Sequence, residues 1–416
     1  MSEFIALRKK HYTYKGIMTN TSSEPRRAIR LAAAEQTNAV LSALGFQQAQ
    51  PSLRVIKEKA TFQLLNILEA YVVSATNEQQ IKQAKEVLKD DYQIVPNLRL
   101  SVPSPKLVKS GLPYSPQDCS WLSENGIKKA HSEGITGKGV LVGVLDTGCD
   151  ADHVELSNKH IEFSYIPLQP LREKRSVRGF DVDGHGTHVC GVIAGKNTGV
   201  APEVDLIVAS VIESETLQTS IIRIYVGLEW ILSKFRAEEN RNKPKIINMS
   251  LGFSPHLIKE SGLQAAMDVL RNIFSTLDAL DILPVVAIGN EGANIVQAPA
   301  YFPEALSVGA VDFKHTPASF SGGGISPITG KAEPNIVGYG VDIFSSLERN
   351  TDNQSLYARM SGTSMATPYV TGIAALFASV QPELKGKKLR QLMINKAKSL
   401  NFSLDRVGAG LANFVP

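Results

Sequence analysis

Residues 139–148 read GVLVGVLDTG, and how this run is buried decides the architecture of the chain. Val140, Leu141, Val142, Val144 and Leu145 follow one another up to Asp146 with only Gly143 among them. A strand with one wet face alternates apolar and polar residues, whereas a strand covered on both faces has no reason to. The run therefore predicts a strand of a parallel sheet with layers on either side. The runs DLIVASVI (205–212), KIINMSLG (245–252), PVVAIGN (284–290) and ALSVGAV (305–311) share its pattern. Helical periodicity occupies GLEWILSKFRAEEN (227–240), GLQAAMDVLRNIFSTLDAL (262–280), SMATPYVTGIAALFASV (364–380) and KKLRQLMINKAKSL (387–400). The expected fold is α/β: a mostly parallel sheet with helices on both faces, over residues 119–416. Such sheets gather their ligands at the carboxyl ends of the strands.

Residues 1–101 read differently. EFIALRKK (3–10) is strand-like, and Ser23 and Pro25 open a helix carrying Ile29, Ala33, Val40 and Leu44 that Gly45 stops. LRVIKEK (53–59) and LEAYVVSA (68–75) are strand-like, and NEQQIKQAKEVLKD (77–90) puts Ile81, Ala84 and Leu88 on one helix face. YQIVPN (92–97) closes the unit as a strand. The order β-α-β-β-α-β predicts a small α+β, ferredoxin-like domain. Residues 102–118 hold four prolines and read as an extended connector, since proline rejects helix and lacks a ladder donor.

Composition narrows the function. With 43% hydrophobic and 20% charged residues the chain is an ordinary globular protein with room for a large core. The net charge of +4 is too small to argue for nucleic acid as a partner. It is unevenly spread: residues 1–101 carry 14 Lys and Arg against 9 Asp and Glu, and the remainder is near neutral. No stretch approaches the roughly 18 uninterrupted apolar residues of a membrane span. At the N-terminus a short apolar run comes before the basic residues, the reverse of a secretory signal. Cys119, Cys149 and Cys190 are too few for a disulfide framework, so a reducing, cytoplasmic setting is expected.

Chemistry concentrates just past the strand ends. Asp146 ends VLD, His185 lies in DGHGTHVCG (183–191), Asn290 follows VVAIG, and Ser364 lies in MSGTSMATP (360–368) where a loop enters an apolar helix. Singly, each has an ordinary structural role: turn cap, satisfied histidine, left-handed turn, helix cap. Together, in the order Asp, His, Ser, they closely resemble the signature segments of subtilisin-like serine proteases. The likeness runs from about residue 114 to the C-terminus and includes IINMSLG, ALSVGAVD and GAGLANF. A zinc reading of His185, His188 and Cys190 finds no recognised ligand spacing.

The resemblance implies a serine endopeptidase with Ser364 as nucleophile, His185 as general base and acid, Asp146 orienting the imidazole, and Asn290 in the oxyanion hole. His188 would be structural. Ser250, Leu251 and Gly252 on one side, and Leu217, Gln218 and Thr219 on the other, would pair with substrate backbone. Ala287, Ile288 and Gly289 would wall the main pocket, and by analogy a large apolar residue would precede the cut. VIAGKNTGVAP (192–202) is too short for the family's strong calcium loop, so no metal and no cofactor is expected. Cys149 and Cys190 lie near enough to the triad to suggest thiol sensitivity. The basic stretch up to Arg178 reads as a solvated loop. Residues 1–101 resemble the family's inhibitor-like propeptide, which would make the chain a self-processing zymogen cut within 101–118, its own propeptide acting as intramolecular inhibitor. Protein or peptide substrates are the implied partners, with no nucleic acid. A transpeptidase or macrocyclase would use the same triad, and a non-catalytic binding protein would not need it intact.

Overall fold

The structure is a computed structural model that describes residues 2–9, 24–49, 60–102, 105–167, 178–213, 218–253 and 263–415. Ser23, the strand expected at 53–59, most of the basic loop before Arg178, and Leu217 lie outside the described residues.

Seven parallel strands form the main sheet. Their spatial order is Ile336–Tyr339, Leu306–Val311, Leu283–Ala287, Lys245–Met249, Leu141–Asp146, Asp205–Ser210 and Ile161–Tyr165. The Leu141–Asp146 strand is interior, paired on both sides, and every residue of it is buried. Its alternation sorts side chains between two cores. Val142 and Val144 join the cluster holding the His185–Ala194 and Thr363–Val380 helices. Leu141 and Leu145 join the cluster holding Ile221–Phe235 and Leu263–Ala279. Each such side chain contributes about 1.5–3 kcal/mol on burial, so a charge at Val144 would break the layer. Thr363–Val380 is, among the described residues, the one helix long and apolar enough to cross a membrane by composition. Here that segment is 89% buried, as the central helix of a core.

The described residues before 103 hold a second sheet, in the order Gln47–Gln48, Thr61–Leu65, Ala70–Ala75, Ser2–Arg8, Tyr92–Pro96. The Glu24–Ala43 and Glu78–Leu88 helices belong to it, the second capped by Asn77, whose side chain accepts from the Gln79 N–H at 2.8 Å. Apart from the two-residue edge strand, this is the expected ferredoxin-like order, with a strand at Thr61–Leu65 that the sequence reading did not anticipate. The unit docks on the Ile221–Phe235 helix. The Leu98 carbonyl and Asn97 Oδ1 accept from the Ile221 and Ile222 N–H groups, which a helix cannot satisfy by itself. Glu229, on the same helix, accepts from the Ile67 N–H at 2.9 Å and the Leu68 N–H at 3.0 Å.

The connector is more ordered than a bare linker. Arg99–Ser101 pairs antiparallel with Gln218–Ser220, and Lys106–Leu112 pairs antiparallel with Leu356–Ser361. A 3-10 helix, Pro116–Ser123, then leads into the large domain. Arg359 ties it down, reaching Asp118 at 2.5 Å and Asp342 at 2.8 Å.

Candidate active site

Asp146 is the last residue of its strand, aligned with Ser210 of the neighbouring strand. The chain then turns, and the Val211 N–H donates to the Asp146 carbonyl at 2.8 Å. Asp146 Oδ1 accepts from the Thr147 N–H at 2.8 Å and from His185 Nδ1 at 2.6 Å. That bond puts the Nδ1 proton on the carboxylate side and leaves Nε2 as the free nitrogen, buried and without a partner. Burial pulls the imidazole pKa down, but the Asp146 charge and hydrogen bond outweigh it, and His185 ends above its usual value.

His185 opens its helix, and the glycine that follows it lets the helix start approach the loop after the Asp146 strand. A methyl group on Gly186 would lie 2.2 Å from the Gly148 carbonyl oxygen, so only glycine allows that contact. Thr147 and Asp181 fasten the two segments. Thr147 Oγ1 donates to Asp181 Oδ1 at 2.7 Å and accepts from the Gly186 N–H at 2.9 Å. Asp181 Oδ2 accepts from the Thr187 N–H at 2.6 Å and Oγ1 at 2.7 Å. The sequence reading passed over Asp181, although an acid four residues before His185 and next to a glycine-rich helix start was its visible signal. His188 is fully buried and donates from Nε2 to the Ile343 carbonyl at 3.0 Å. Burial and the neighbouring His185 push it down to about 3, so it stays neutral.

Ser364 lies in the first turn of Thr363–Val380. Pro368, four residues on, has no N–H, so the Ser364 carbonyl lacks its helical partner. Ser250 Oγ takes that place at 3.0 Å, and Ser364 Oγ in turn donates to the Ser250 carbonyl at 3.2 Å. Asn290, three residues beyond the Leu283–Ala287 strand, accepts through Oδ1 from the Thr363 N–H and Oγ1, both at 2.9 Å. This fixes the amide with its Nδ2 donors available to another acceptor. Among the described residues no hydrogen bond joins His185 Nε2 to Ser364 Oγ; the hydroxyl rests on Ser250. Such bonds commonly tighten only with substrate bound.

The expected subsite residues divide. Gln218 and Thr219 form the short strand that pairs with Ser101 and Leu100. Leu251 and Ile288 are core side chains, leaving only their backbone to a substrate. Gly252 and Gly289 both abut Gln297, a residue the sequence reading did not single out. Cys149 and Cys190 are fully buried. A hydrogen bond from Cys149, together with burial, holds the Cys190 thiol well above its usual range. Glu155, 1% exposed, accepts from the Asn197 N–H at 2.6 Å and Nδ2 at 3.0 Å and from the Tyr357 hydroxyl at 2.9 Å. The short 192–202 loop is thus tied by amides to a buried carboxylate. Among the described residues no cluster of three or more His, Cys, Asp or Glu side chains could hold a metal.

Comparison with known proteins places the chain in a family. The subtilase family model (peptidase S8) matches residues 137–410. The chain is 43% identical to the subtilisin-like protease PopC of Myxococcus xanthus over 372 residues, covering 86% of this chain and 78% of PopC. That share exceeds what residues 119–416 can supply, so the likeness reaches into the N-terminal unit. Subtilisin BL of Lederbergia lenta is 35% identical over 290 residues, covering 68% of this chain and 92% of that one. Among solved structures, the prenylagaramide maturation protease PagA superposes with a TM-score of 0.53 at 25% identity, covering 69% of this chain and 96% of PagA. On these matches and on the fold, the chain belongs to the subtilase family of serine proteases.

Proposed function

We propose that the chain is a serine endopeptidase that acts through an acyl-enzyme on Ser364 and is made as a zymogen. The observation that carries this reading is the 2.6 Å bond between Asp146 and His185 Nδ1, which leaves Nε2 as the unpaired nitrogen of a buried imidazole. Ser364 Oγ leaves Ser250 and attacks the substrate carbonyl while Nε2 takes its proton. Asp146 stabilises the imidazolium and keeps the tautomer. Asn290 Nδ2 donates to the oxyanion. His185 then returns the proton to the leaving amine, and water, activated by the same nitrogen, releases the acyl group.

Residues 1–101 act as folding aid and temporary inhibitor. Two pairings support this. Arg99–Ser101 adds to the Gln218–Ser220 strand, and Lys106–Leu112 adds to a strand ending at Ser361, three residues before the nucleophile. The first pairing occupies a backbone edge that the resemblance gives to an extended substrate, and the second brings the connector close to Ser364. One cut within 101–118 would free the cleft, with the released unit held until degraded. Intact-mass analysis tests it. Wild type gives fragments near 100 and 300 residues, and Ser364→Ala gives one uncut chain. A wild type that stays whole yet is fully active overturns the zymogen reading.

A further inference from the structure

The Asp146 carboxylate is unevenly bonded. Its Oδ2 is buried without a hydrogen-bond partner, while Oδ1 takes the Thr147 N–H at 2.8 Å and His185 Nδ1 at 2.6 Å. A third donor stands within reach of the same oxygen: the Thr147 hydroxyl, 3.3 Å away. A threonine hydroxyl has one proton to give. Asp181 Oδ1 lies nearer to it, at 2.7 Å, and the Gly186 N–H holds the hydroxyl oxygen from the other side at 2.9 Å. Asp181 takes three further donors. Its Oδ1 accepts from the Asp183 N–H at 3.1 Å, and its Oδ2 from the Thr187 N–H at 2.6 Å and the Thr187 hydroxyl at 2.7 Å. Thr187 Oγ1 in turn accepts from the Asp150 N–H at 2.9 Å. Together these bonds tie the turn after the Asp146 strand to the first turn of the His185 helix, with Asp181 at their centre.

We propose that Asp181 is a positioning residue for the base: it draws the Thr147 hydroxyl proton away from Asp146, leaving Asp146 Oδ1 to His185, and its other oxygen fixes the helix start that carries the imidazole. This rests on the endopeptidase reading and deepens it. The distances decide where the proton points. A hydroxyl bonded to a carboxylate sits at roughly 2.5–2.7 Å, which the Asp181 contact meets and the Asp146 contact does not. An Asp146 oxygen that also accepted the hydroxyl would be less basic and would hold the imidazolium less well. Charge acts in the same sense. Burial lowers the His185 pKa, and Asp146, Asp183 and Asp181 together raise it beyond its usual value. The other titratable groups around the imidazole are His188 on the same helix, the buried Cys149 and Cys190 thiols, and Glu348, which follows the Ile343–Leu347 strand and packs against Gly184. Burial, with Asp181 and Asp183 nearby, pushes Glu348 up to about 7.

The test compares wild type, Asp181→Asn, Thr147→Val and the double variant, each purified as expressed. A fluorophosphonate counts reactive Ser364, and kcat and KM are read across pH on one extended peptide p-nitroanilide. Asp181→Asn removes the charge and sets an amide donor among donors, so the Thr147 proton turns to Asp146. kcat per labelled serine should fall by about 10²-fold with KM nearly unchanged, the scale on which a misplaced reacting group acts. The acid limb should move to lower pH, because an anion that raises the His185 pKa is gone. Thr147→Val removes the proton itself, so in that background Asp181→Asn should move the limb clearly less. Glu348→Gln should leave the Asp181→Asn shift in place, and Asp181→Ser reads the same points if Asp181→Asn does not fold. A limb that stays put, a shift of equal size with and without the Thr147 hydroxyl, or a shift abolished by Glu348→Gln overturns the proposal, while labelling of Ser364 in wild type leaves the endopeptidase reading standing. A wild type that does not label at Ser364 removes that reading, and this proposal with it.

Discussion

His185 can act as a base only when its imidazole is neutral. Its pKa is depressed by burial but raised further by Asp146, so the net shift is upward. The acid limb of kcat/KM should therefore rise with pH through a value on the alkaline side of an ordinary histidine's 6.5. In Asp146→Asn the raising charge is gone and burial remains, so the limb moves to lower pH. kcat should fall by about 10⁴-fold, because the imidazole loses its fixed tautomer. A pH–rate profile of both proteins checks the sign, and an unmoved limb would mean that Asp146 does not govern the base. At this scale the sequence was most legible where chemistry demands a residue type. Asp146, His185, Asn290 and Ser364 stand at or just past strand and helix ends near glycines, and the structure bonds Asp146 to His185 and Asn290 to Thr363, the neighbour of Ser364. Asp181 was passed over although its place four residues before His185 was a signal, and Gln297 was not legible, because its surroundings depend on which backbone a long-range fold brings beside it. The thiol sensitivity read from the spacing of Cys149 and Cys190 finds no exposed sulfur.

At the scale of elements, runs buried on both faces were recovered, and edges were missed. Ile161–Tyr165 and Ile336–Tyr339 terminate the large sheet at its two ends. The first is half-buried throughout and carries Glu162 and Ser164, and the second is four residues long beside Pro334, so neither presents a long apolar run. Lys106–Leu112 was read as extended connector because its exposed side chains show no buried face; it is a strand only because Leu356–Ser361 offers it an edge. The docking of the N-terminal unit is likewise a matter of elements. The Ile221–Phe235 helix gives its first free N–H groups to residues 97–98 and its Glu229 carboxylate to the 67–68 backbone. Glu229→Ala leaves those amides unpaired and, if the connector is cut as proposed, should weaken the hold of the N-terminal unit by about 2 kcal/mol, roughly 30-fold. Inhibition of the processed enzyme by its own released unit measures this. An unchanged inhibition constant would assign the docking to apolar contacts alone, through Ile5, Leu7 and Val72.

Across the whole molecule, a basic first quarter is joined to a near-neutral body. What the sequence did not reveal is how closely the connector follows the catalytic domain. Its strands pair with Gln218–Ser220 and with Leu356–Ser361, and a methyl group on Gly362 would come within 3.0 Å of Pro105 Cβ and 3.4 Å of Asn290 Nδ2. The N-terminal unit, its connector and the large domain share one hydrogen-bonded surface, and Ser364, three residues past the strand that the connector joins, is the serine proposed to cut peptides. The peptidase activity of Ser364→Ala beside wild type, on one extended peptide substrate and with folding verified for both, tests that claim most directly. The account predicts a loss in kcat on the order of 10⁶-fold, the scale on which removing such a nucleophile acts. Activity within tenfold of wild type would contradict it.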